Sequence, residues 1–304
     1  MICGGGRSAA SLASQGDAAR HHTPPLLSMT EAPVSQQMPA SQLPELVLGG
    51  VRIHAITEAQ CVTHVMQSLA SGQGGFIATA NLDHMRRLRS SQEFREIYAN
   101  ASVVVADGMP LVWAARLQGT PLPGRVAGSD LIHSLTAGAA KSDRSVFFLG
   151  GDPGSADAAA AQLVADHPKL RVVGTCCPAV GFEKDPVQMA ELRRVVEESR
   201  ADVVFVALGS PKQEALIQEI HSVLPQAWWI GVGISFSFVS GAVHRAPRWV
   251  QRVGMEWFHR LLQEPRRLGG RYLWHGPPYL MWLVGSALRG RLSGRPKGAA
   301  KRPS

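Results

Sequence analysis

The stretch Val103-Val104-Val105-Ala106-Asp107-Gly108 decides the fold class. An apolar run, mostly β-branched, is followed at once by an acid and a glycine. A short apolar run bounded by turn residues is typical of a strand buried on both faces, and such strands belong to parallel sheets covered by helices. The acid then stands at the carboxyl end of a buried strand.

Similar apolar runs recur along the chain and alternate with helix-like segments. The predicted strands cover residues 75–80, 102–106, 146–149, 171–175, 203–208 and 228–232. This alternation predicts an α/β fold with a Rossmann-like, mostly parallel sheet and helices on both faces. Ligands of such sheets bind at the carboxyl ends of the strands. The residues that stand at such ends are Asn81, Asp107, Gly150, Gly209 and Gly233.

Three local signals predict shorter elements. Gly49-Gly50 separates two apolar pairs and predicts a β-hairpin. One helix is expected from Asn81 to about Tyr98. Ser129 is expected to cap the helix that follows the loop 119–128.

Charge divides the chain at about residue 241. Residues 241–304 contain 13 of the 31 Lys and Arg residues but 2 of the 23 Asp and Glu residues, a net charge of +11. The first 240 residues contain 18 basic and 21 acidic residues, a net charge of −3. A near-neutral body with a cationic end points to an anionic partner: a phospholipid surface, a diphosphate substrate or nucleic acid.

These differences divide the chain into three parts. Residues 1–44 are rich in Gly, Ala, Ser, Pro and Gln, without periodicity or an apolar run of signal-peptide length, and are expected to be a disordered tail. Residues 45–241 form the expected α/β core. Residues 242–304 form an expected basic, amphipathic, helical appendage with a disordered end.

The appendage is expected to begin with one amphipathic helix. Pro247 suits the first turn, and Pro265 would stop the helix after Gln263. Its predicted apolar stripe is Trp249, Val250, Val253, Trp257, Leu261 and Leu262. A second face carries Arg248, Arg252, Glu256 and Arg260 at i+4 steps.

Neither a spanning helix nor a disulfide framework is expected. The sequence has no run of 18 consecutive apolar residues, so membrane contact is expected to be peripheral. The four cysteines form no CxxC spacing, and this favours a reduced, cytosolic compartment.

Asp107 is the residue with the clearest chemical meaning. Apolar atoms surround a carboxylate that directly follows a buried strand, and desolvation raises its pKa from about 3.9 toward the range useful to a general base. Gly108 lets the backbone turn tightly beside it. The alternative is that Asp107 is the N-cap of the next helix, where Asp is common.

Three loops carry groups that suit a phosphate. Arg125 lies in a loop stiffened by two prolines, although a solvated loop arginine is the simpler alternative. Gly150 and Gly151 begin a strand-to-helix turn that either presents N–H groups to phosphate or ribose, or is a plain tight turn. Gln213 lies in a later turn of this kind, where it either reaches a ligand or is solvated.

Five motifs stand in the order of one known family. They are Thr79-Ala80-Asn81, Ala106-Asp107-Gly108 with Trp113, Arg125-Val126-Ala127-Gly128-Ser129-Asp130, Gly209-Ser210-Pro211-Lys212-Gln213-Glu214, and the basic segment from Arg245 to Arg267. Over roughly residues 46–272 the chain resembles the WecG/TagA/CpsF family of bacterial glycosyltransferases (glycosyltransferase family 26).

The resemblance implies a reaction, its partners and its place. A sugar (N-acetylmannosamine, its uronic acid, or a glucose type) passes from a UDP-sugar to a polyprenyl-diphosphate-linked saccharide, with inversion, during cell-surface polysaccharide or exopolysaccharide synthesis. The implied partners are the donor, the acceptor and the anionic inner surface of the cell membrane, where a cytoplasmic protein attaches peripherally. A homo-oligomer stays open.

The resemblance also implies roles for individual residues. Asp107 matches the family's proposed base, and Arg125 matches an arginine implicated in catalysis. The appendage matches a segment thought to close the site and touch the membrane. The residues expected to bind substrate are Thr79, Asn81, Gly150, Gly151, Gln213, Arg245, Arg248 and Arg252.

Neither a metal nor another cofactor is expected. No two aspartates stand at i, i+2, so the Asp-x-Asp pair that holds a divalent ion in many sugar transferases is missing, and HExxH is missing too. Arg, Lys and helix N-termini would then neutralise a leaving phosphate.

One departure and two competing classes qualify the resemblance. The chain reads Phe236-Ser237-Phe238 where the family usually has Phe-Asp-Phe, which leaves the donor sugar open. A dinucleotide-binding oxidoreductase would also use a glycine-rich turn, but the glycine spacing is not GxGxxG. A basic nucleic-acid-binding protein would use the same cationic end, although the motifs favour no nucleic-acid partner.

Overall fold

The computed structural model describes residues 43–247, 249–250, 255–263, 266, 269–270 and 276–292. The strands are β1 (Glu45–Leu48), β2 (Val51–His54), β3 (Gly75–Ala80), β4 (Val103–Ala106), β5 (Ser145–Gly150), β6 (Arg171–Cys176), β7 (Val203–Ala207) and β8 (Trp228–Gly231). The α-helices are α1 (Glu58–Ala70), α2 (Leu82–Ser90), α3 (Gln92–Asn100), α4 (Met109–Gln118), α5 (Gly128–Lys141), α6 (Ser155–Asp166), α7 (Pro186–Ser199), α8 (Lys212–Ile220), α9 (Ser235–Val239), α10 (Glu256–Gln263) and α11 (Gly276–Leu292).

The strands form a small hairpin and one larger sheet. β1 and β2 pair antiparallel across Gly49-Gly50, as predicted. The other six strands form a parallel sheet in the order β4-β3-β8-β7-β5-β6. The predicted α/β fold is therefore confirmed.

Helices cover both faces of the sheet because the strands β3, β4, β5, β7 and β8 are apolar on both faces. Side chains alternate along a strand, so Val104 and Ala106 join one hydrophobic cluster while Val103 and Val105 join the other. All residues of β4 are buried. The continuous apolar run thus encodes a two-sided core, as expected for a parallel strand.

The order of the strands creates a crevice at their carboxyl ends. β4 lies beside β3, but the chain then crosses to β5, and β7 and β8 later fill the space between. Ligands of doubly wound sheets bind where the strand order reverses in this way. Ala80 pairs with Ala106 in the register, so Asn81 and Asp107 leave the sheet side by side.

The single helix expected from Asn81 to about Tyr98 is wrong, because two helices occupy this segment. Ser91 separates α2 from α3 with an extended backbone, at φ −119° and ψ 125°. Its side chain accepts from the Phe94 N–H and so caps α3. A serine that bonds a nearby backbone N–H competes with helix continuation.

The expected cap at Ser129 is also wrong. The cap lies two residues earlier, because α5 starts at Gly128 with Ala127 as an N-cap that makes no side-chain hydrogen bond. Gly128 opens the helix against β8, where an added Cβ would lie 3.0 Å from the Gly231 oxygen. Close packing on the sheet therefore sets this helix start.

The single helix expected from Pro247 to Gln263 is interrupted at Met255. Pro247 and Met255 are not helical, and α10 starts at Glu256. The Met255 carbonyl accepts from the Phe258 N–H at 3.0 Å, which closes the first turn. Of the predicted apolar stripe, Trp249 and Leu262 are exposed. Arg248, Arg252 and Val253 lie outside the described residues, as do residues 1–42.

α11 is part of the core. Tyr279, Leu283 and Ala287 recur at i, i+4 and i+8 and are buried in the cluster that contains Val104. The Tyr279 hydroxyl donates to the Met85 carbonyl at 2.7 Å, and the helix packs on α4. Among the described residues, no helix is long and apolar enough to span a membrane.

Leu283→Ala is expected to destabilise the protein by about 2–4 kcal/mol, because it leaves a cavity in a fully buried position. Met281→Ala is the matched control: Met281 lies on the same helix and is 75% exposed, so its loss should cost no more than about 0.5 kcal/mol. Urea unfolding measures both. Equal small effects would mean that α11 is not part of the core.

Candidate active site

A cavity of about 490 Å³ opens at the carboxyl ends of β3, β4, β7 and β8. Five of the predicted site residues line it, and they come from distant parts of the sequence. They are Thr79, Asn81, Asp107, Arg125 and Gln213. α10 and α11 supply part of the wall on the opposite side, through Glu256, Trp257, Pro277 and Leu280.

Asp107 leaves β4 at the floor of this cavity. Its backbone N–H donates to the Ala80 carbonyl at 2.7 Å, which continues the sheet by one residue. Gly108, at φ 148°, turns the chain beside it and is itself the N-cap of α4. The cap makes no side-chain hydrogen bond, so Asp107 is not the helix cap that its sequence position allowed.

Burial raises the pKa of the Asp107 carboxyl from 3.8 to about 6. The positive charge of Arg125 opposes this rise, and the negative charges of Glu256 and Asp130 add to it. A hydrogen bond from the Gly128 N–H also lowers the pKa, as the charge of Arg125 does. A carboxyl with this pKa is largely ionised at neutral pH, yet it is a stronger base than an ordinary aspartate.

Asn81 and Thr79 lie beside Asp107 at the end of β3. The Asn81 side-chain oxygen accepts from the Asp83 and His84 N–H groups at 3.0 and 3.1 Å, which caps α2. This cap uses the side-chain oxygen, and Asn81 also lines the cavity. Thr79 is buried within the wall. Both positions thus offer short polar groups on rigid elements.

Arg125 belongs to a closed ring of four charged side chains. It donates to Asp130 at 2.8 Å and to Glu256 at 2.9 Å. Arg245 donates to the same two acids, at 2.6 Å to Asp130 and 3.1 Å to Glu256. Each side chain is between 16% and 25% exposed. The ring joins the loop between α4 and α5, and the first turn of α5, to α10. It balances two positive charges with two negative ones.

Arg245 completes the ring without lining the cavity itself. Burial alone lowers the pKa of its guanidinium, but the hydrogen bond to Asp130 and the charges of Glu256 and Asp130 raise it above the usual value. Its Nη2 is buried and has no hydrogen-bond partner within the described ranges. Arg245 is therefore linked to Arg125 through the two acids that both arginines bind.

Gly150 and Gly151 are not among the residues that line the cavity. An added Cβ at Gly151 would overlap Ser155 Oγ and lie 3.0 Å from Phe236, so close packing accounts for this glycine. The Gly151 N–H donates to the Ala207 carbonyl at 2.7 Å. The predicted ligands Arg248 and Arg252 lie outside the described residues.

The sequence analysis missed the acidic half of the ring. Asp130 stands within a quoted motif without a predicted role, and Glu256 is predicted only on the second face of a longer helix. The signal for Asp130 is its spacing of five residues from Arg125. Glu256 lies 131 residues from Arg125, and no local pattern predicts that contact.

Ser237 is buried beside the glycine-rich turn. Its hydroxyl lies 3.4 Å from Asp152 Oδ2. The described residues contain no group of three or more His, Cys, Asp and Glu side chains that could hold a metal ion.

Comparison with known proteins identifies the enzyme class. A family model described as "Glycosyl transferase WecG/TagA/CpsF family" matches residues 46–293. An N-acetylglucosaminyldiphosphoundecaprenol N-acetyl-beta-D-mannosaminyltransferase of Bacillus spizizenii (strain ATCC 23059 / NRRL B-14472 / W23) is 34% identical over 199 residues, 66% of this chain and 75% of the relative. The Bacillus subtilis (strain 168) protein of the same name is 29% identical over 194 residues, 64% of this chain and 73% of the relative.

These matches define the protein as an enzyme of the glycosyltransferase class. The family model covers far more than half of the sequence, from the hairpin through α11. The chain belongs to the WecG/TagA/CpsF family.

Asp107→Asn is expected to stabilise the fold at neutral pH. The folded-state pKa of about 6 lies above the ordinary 3.8, so the carboxyl contributes stability below the ordinary pKa and loses it as the pH rises through 6. The asparagine of the variant cannot ionise. At about pH 7.5 the free energy of unfolding of the variant should therefore exceed that of the wild type by roughly 1–3 kcal/mol. Most of this gain should disappear by about pH 4. Urea unfolding at both values measures it, and a pH-independent gain would exclude ionisation as its cause.

Proposed function

We propose that this glycosyltransferase moves a sugar from a UDP-sugar to a saccharide linked to a polyprenyl diphosphate. The observation that carries the proposal is Asp107 at the carboxyl end of β4, with a raised pKa and an arginine ring beside it. The names of the two relatives support N-acetylmannosamine as the donor sugar and a polyprenyl-diphosphate acceptor. The uronic acid and glucose donors are the alternatives, because Ser237 replaces the usual acid.

Asp107 acts in this proposal as the general base of a single displacement. An acceptor hydroxyl gives its proton to the Asp107 carboxylate while its oxygen forms a bond to the anomeric carbon. The bond from that carbon to the UDP oxygen breaks on the opposite side, and its electron pair leaves with UDP. Attack and departure on opposite sides invert the anomeric configuration. A base with a pKa near the working pH suits this transfer.

Arg125 neutralises charge on the departing diphosphate. Its guanidinium lines the cavity and offers a planar set of donors that matches phosphate oxygens. Arg245 binds the same two acids, so the negative charges of Asp130 and Glu256 are not balanced by Arg125 alone. Fixed positive charge of this kind stabilises a developing anion without a metal ion. The missing Asp-x-Asp pair in the sequence supports the same choice.

Thr79, Asn81 and Gln213 hold the sugar hydroxyl groups in this scheme. Each is fixed at the end of a strand or the start of a helix rather than on a long loop. Short polar groups on rigid elements orient a substrate at little entropic cost. Gly150 and Gly151 have no part in the scheme, since they lie away from the cavity lining.

The enzyme binds the membrane surface peripherally in this proposal. Phe258 and Leu262 lie at i, i+4 on α10 and are 42% and 66% exposed. Trp249 is 69% exposed, and Arg266 is exposed as well. Aromatic and apolar side chains next to arginines suit the interface of an anionic leaflet. The polyprenyl acceptor would reach the cavity from the same surface.

Purified protein with UDP-N-acetylmannosamine and a polyprenyl-diphosphate-linked N-acetylglucosamine should yield a disaccharide lipid, detected by mass. Asp107→Asn should reduce the rate by about 10²–10⁴-fold, the usual contribution of a positioned base. EDTA should leave the rate unchanged. A panel of UDP-sugars, with NAD as the control ligand, tests the donor. Near-normal turnover by the Asn variant would remove Asp107 from the mechanism.

Replacing Phe258 and Leu262 together by Ser should weaken cosedimentation with anionic liposomes several-fold and leave the unfolding temperature nearly unchanged. The control replaces Val180 and Val187 by Ser, which are 102% and 77% exposed on the core. That control should bind liposomes normally, since these valines lie outside α10. Equal effects of the two double variants would contradict a specific role for α10.

A further inference from the structure

A buried polar cluster lies behind the cavity wall at the start of α8. Its members are Gln213, Glu214, His84 and Tyr98, and each is at most 5% exposed. Glu214 Oε1 accepts from Gln213 Nε2 at 2.8 Å and lies 4.0 Å from His84 Nε2. His84 Nδ1 lies 2.7 Å from the Tyr98 hydroxyl. A chain of polar contacts therefore runs from Tyr98 to the Gln213 amide.

The carboxylate of Glu214 is only half satisfied. Oε2 is buried and has no hydrogen-bond partner in the part of the chain that the structure describes. A buried charged oxygen without a partner costs folding free energy, and a neutral group of the same shape would cost less. Stability therefore does not explain why position 214 is a glutamate, whereas a role in the site would explain it.

Two members of this cluster line the cavity, His84 and Gln213, and the hydrogen bond to Glu214 at 2.8 Å comes from Gln213. Its Oε1 accepts from the Gly233 N–H at 2.9 Å, and its Nε2 donates to Glu214. A carboxylate only accepts and a backbone N–H only donates, so the two bonds together allow one orientation of the amide. An added Cβ at Gly231 would overlap Nε2, so the glycine there leaves room for that orientation.

The fixed orientation decides what Gln213 offers to a substrate. Nε2 carries two hydrogens, and Glu214 takes one of them. Glu214 does not use the other hydrogen. Gln213 itself lines the cavity, together with Asn81 and Asp107. A flipped amide would place an acceptor where this donor stands. Sugar and phosphate oxygens both accept hydrogen bonds, so the distinction affects substrate binding directly.

We propose that Glu214 is a positioning residue, which acts through Gln213 by holding the amide N–H toward the oxygen atoms of the bound sugar nucleotide. The inference rests on the proposed function. His84 and Tyr98 hold Glu214 from the other side. The buried Tyr98 hydroxyl keeps its proton, since burial and the charges of Glu214 and Asp107 raise its pKa. His84 Nδ1 pairs with this hydroxyl, and the other ring nitrogen, Nε2, faces Glu214.

Glu214→Gln tests the proposal because it keeps the shape but lets position 214 donate as well as accept. The variant should be as stable as the wild type or more stable in urea. Its kcat/KM for the UDP-sugar should fall about 10–100-fold, since small displacements in a site cost this much. Glu219→Gln is the matched control: it makes the same change on the same helix at an exposed ion pair, and it should leave both values unchanged.

A double-mutant cycle separates action through Gln213 from an independent effect. If Glu214 acts through Gln213, then Gln213→Ala and the double variant should show the same kcat/KM. Additive losses would overturn the proposal. A Glu214→Gln variant that unfolds more easily or fails to fold would also overturn it, because the glutamate would then be structural.

A measurement that does not depend on turnover distinguishes failure of this proposal from failure of the proposed function. In the wild type, one side-chain N–H of Gln213 should exchange slowly with solvent, and NMR of the free enzyme measures this. Glu214→Gln should accelerate the exchange at least tenfold, and unchanged exchange would overturn the proposal. A wild type that exchanges as expected but transfers no sugar to the lipid acceptor would instead contradict the proposed function alone.

Discussion

The ring of Arg125, Asp130, Arg245 and Glu256 is the interaction on which the site depends. It joins the loop between α4 and α5 to α10 through four ion pairs of 2.6 to 3.1 Å. Partly buried ion pairs contribute little net stability, because the loss of hydration offsets most of the attraction. Their effect lies in geometry and in local charge. The ring fixes where Arg125 stands, and three of its members act on the pKa of Asp107.

The same balance explains why Asp107 can serve as a base. Burial raises the pKa of this carboxyl and Arg125 holds the rise back, so the value stays near 6 instead of going further. A diphosphate that enters the cavity brings negative charge toward Arg125. That charge offsets the arginine and raises the pKa of Asp107 again, so the carboxylate becomes a stronger base when substrate is bound.

Much of the fold and part of the site follow from local patterns. Four apolar residues before Asp107 predict both the buried strand and the position of the carboxylate, because parallel strands all end on one edge. The ring does not follow, since Arg125 and Glu256 are far apart in sequence. A single hydrogen bond to the Ser91 side chain sets the start of α3, and the packing of Gly128 on β8 sets the start of α5. Tight packing accounts for Gly150 and Gly151, so a glycine-rich turn in a sequence does not by itself indicate a ligand site.

α10 gives this site two faces with different surroundings. Glu256 and Trp257 line the cavity, and Glu256 holds Arg125. Phe258 and Leu262, on the same helix, are exposed. A rigid helix of eight residues moves as one body, so a displacement of its exposed side also moves Glu256. Because Glu256 raises the pKa of Asp107, such a displacement changes the strength of the base. If α10 contacts a membrane as proposed, Glu256 is the group through which a shift of the helix would reach Asp107.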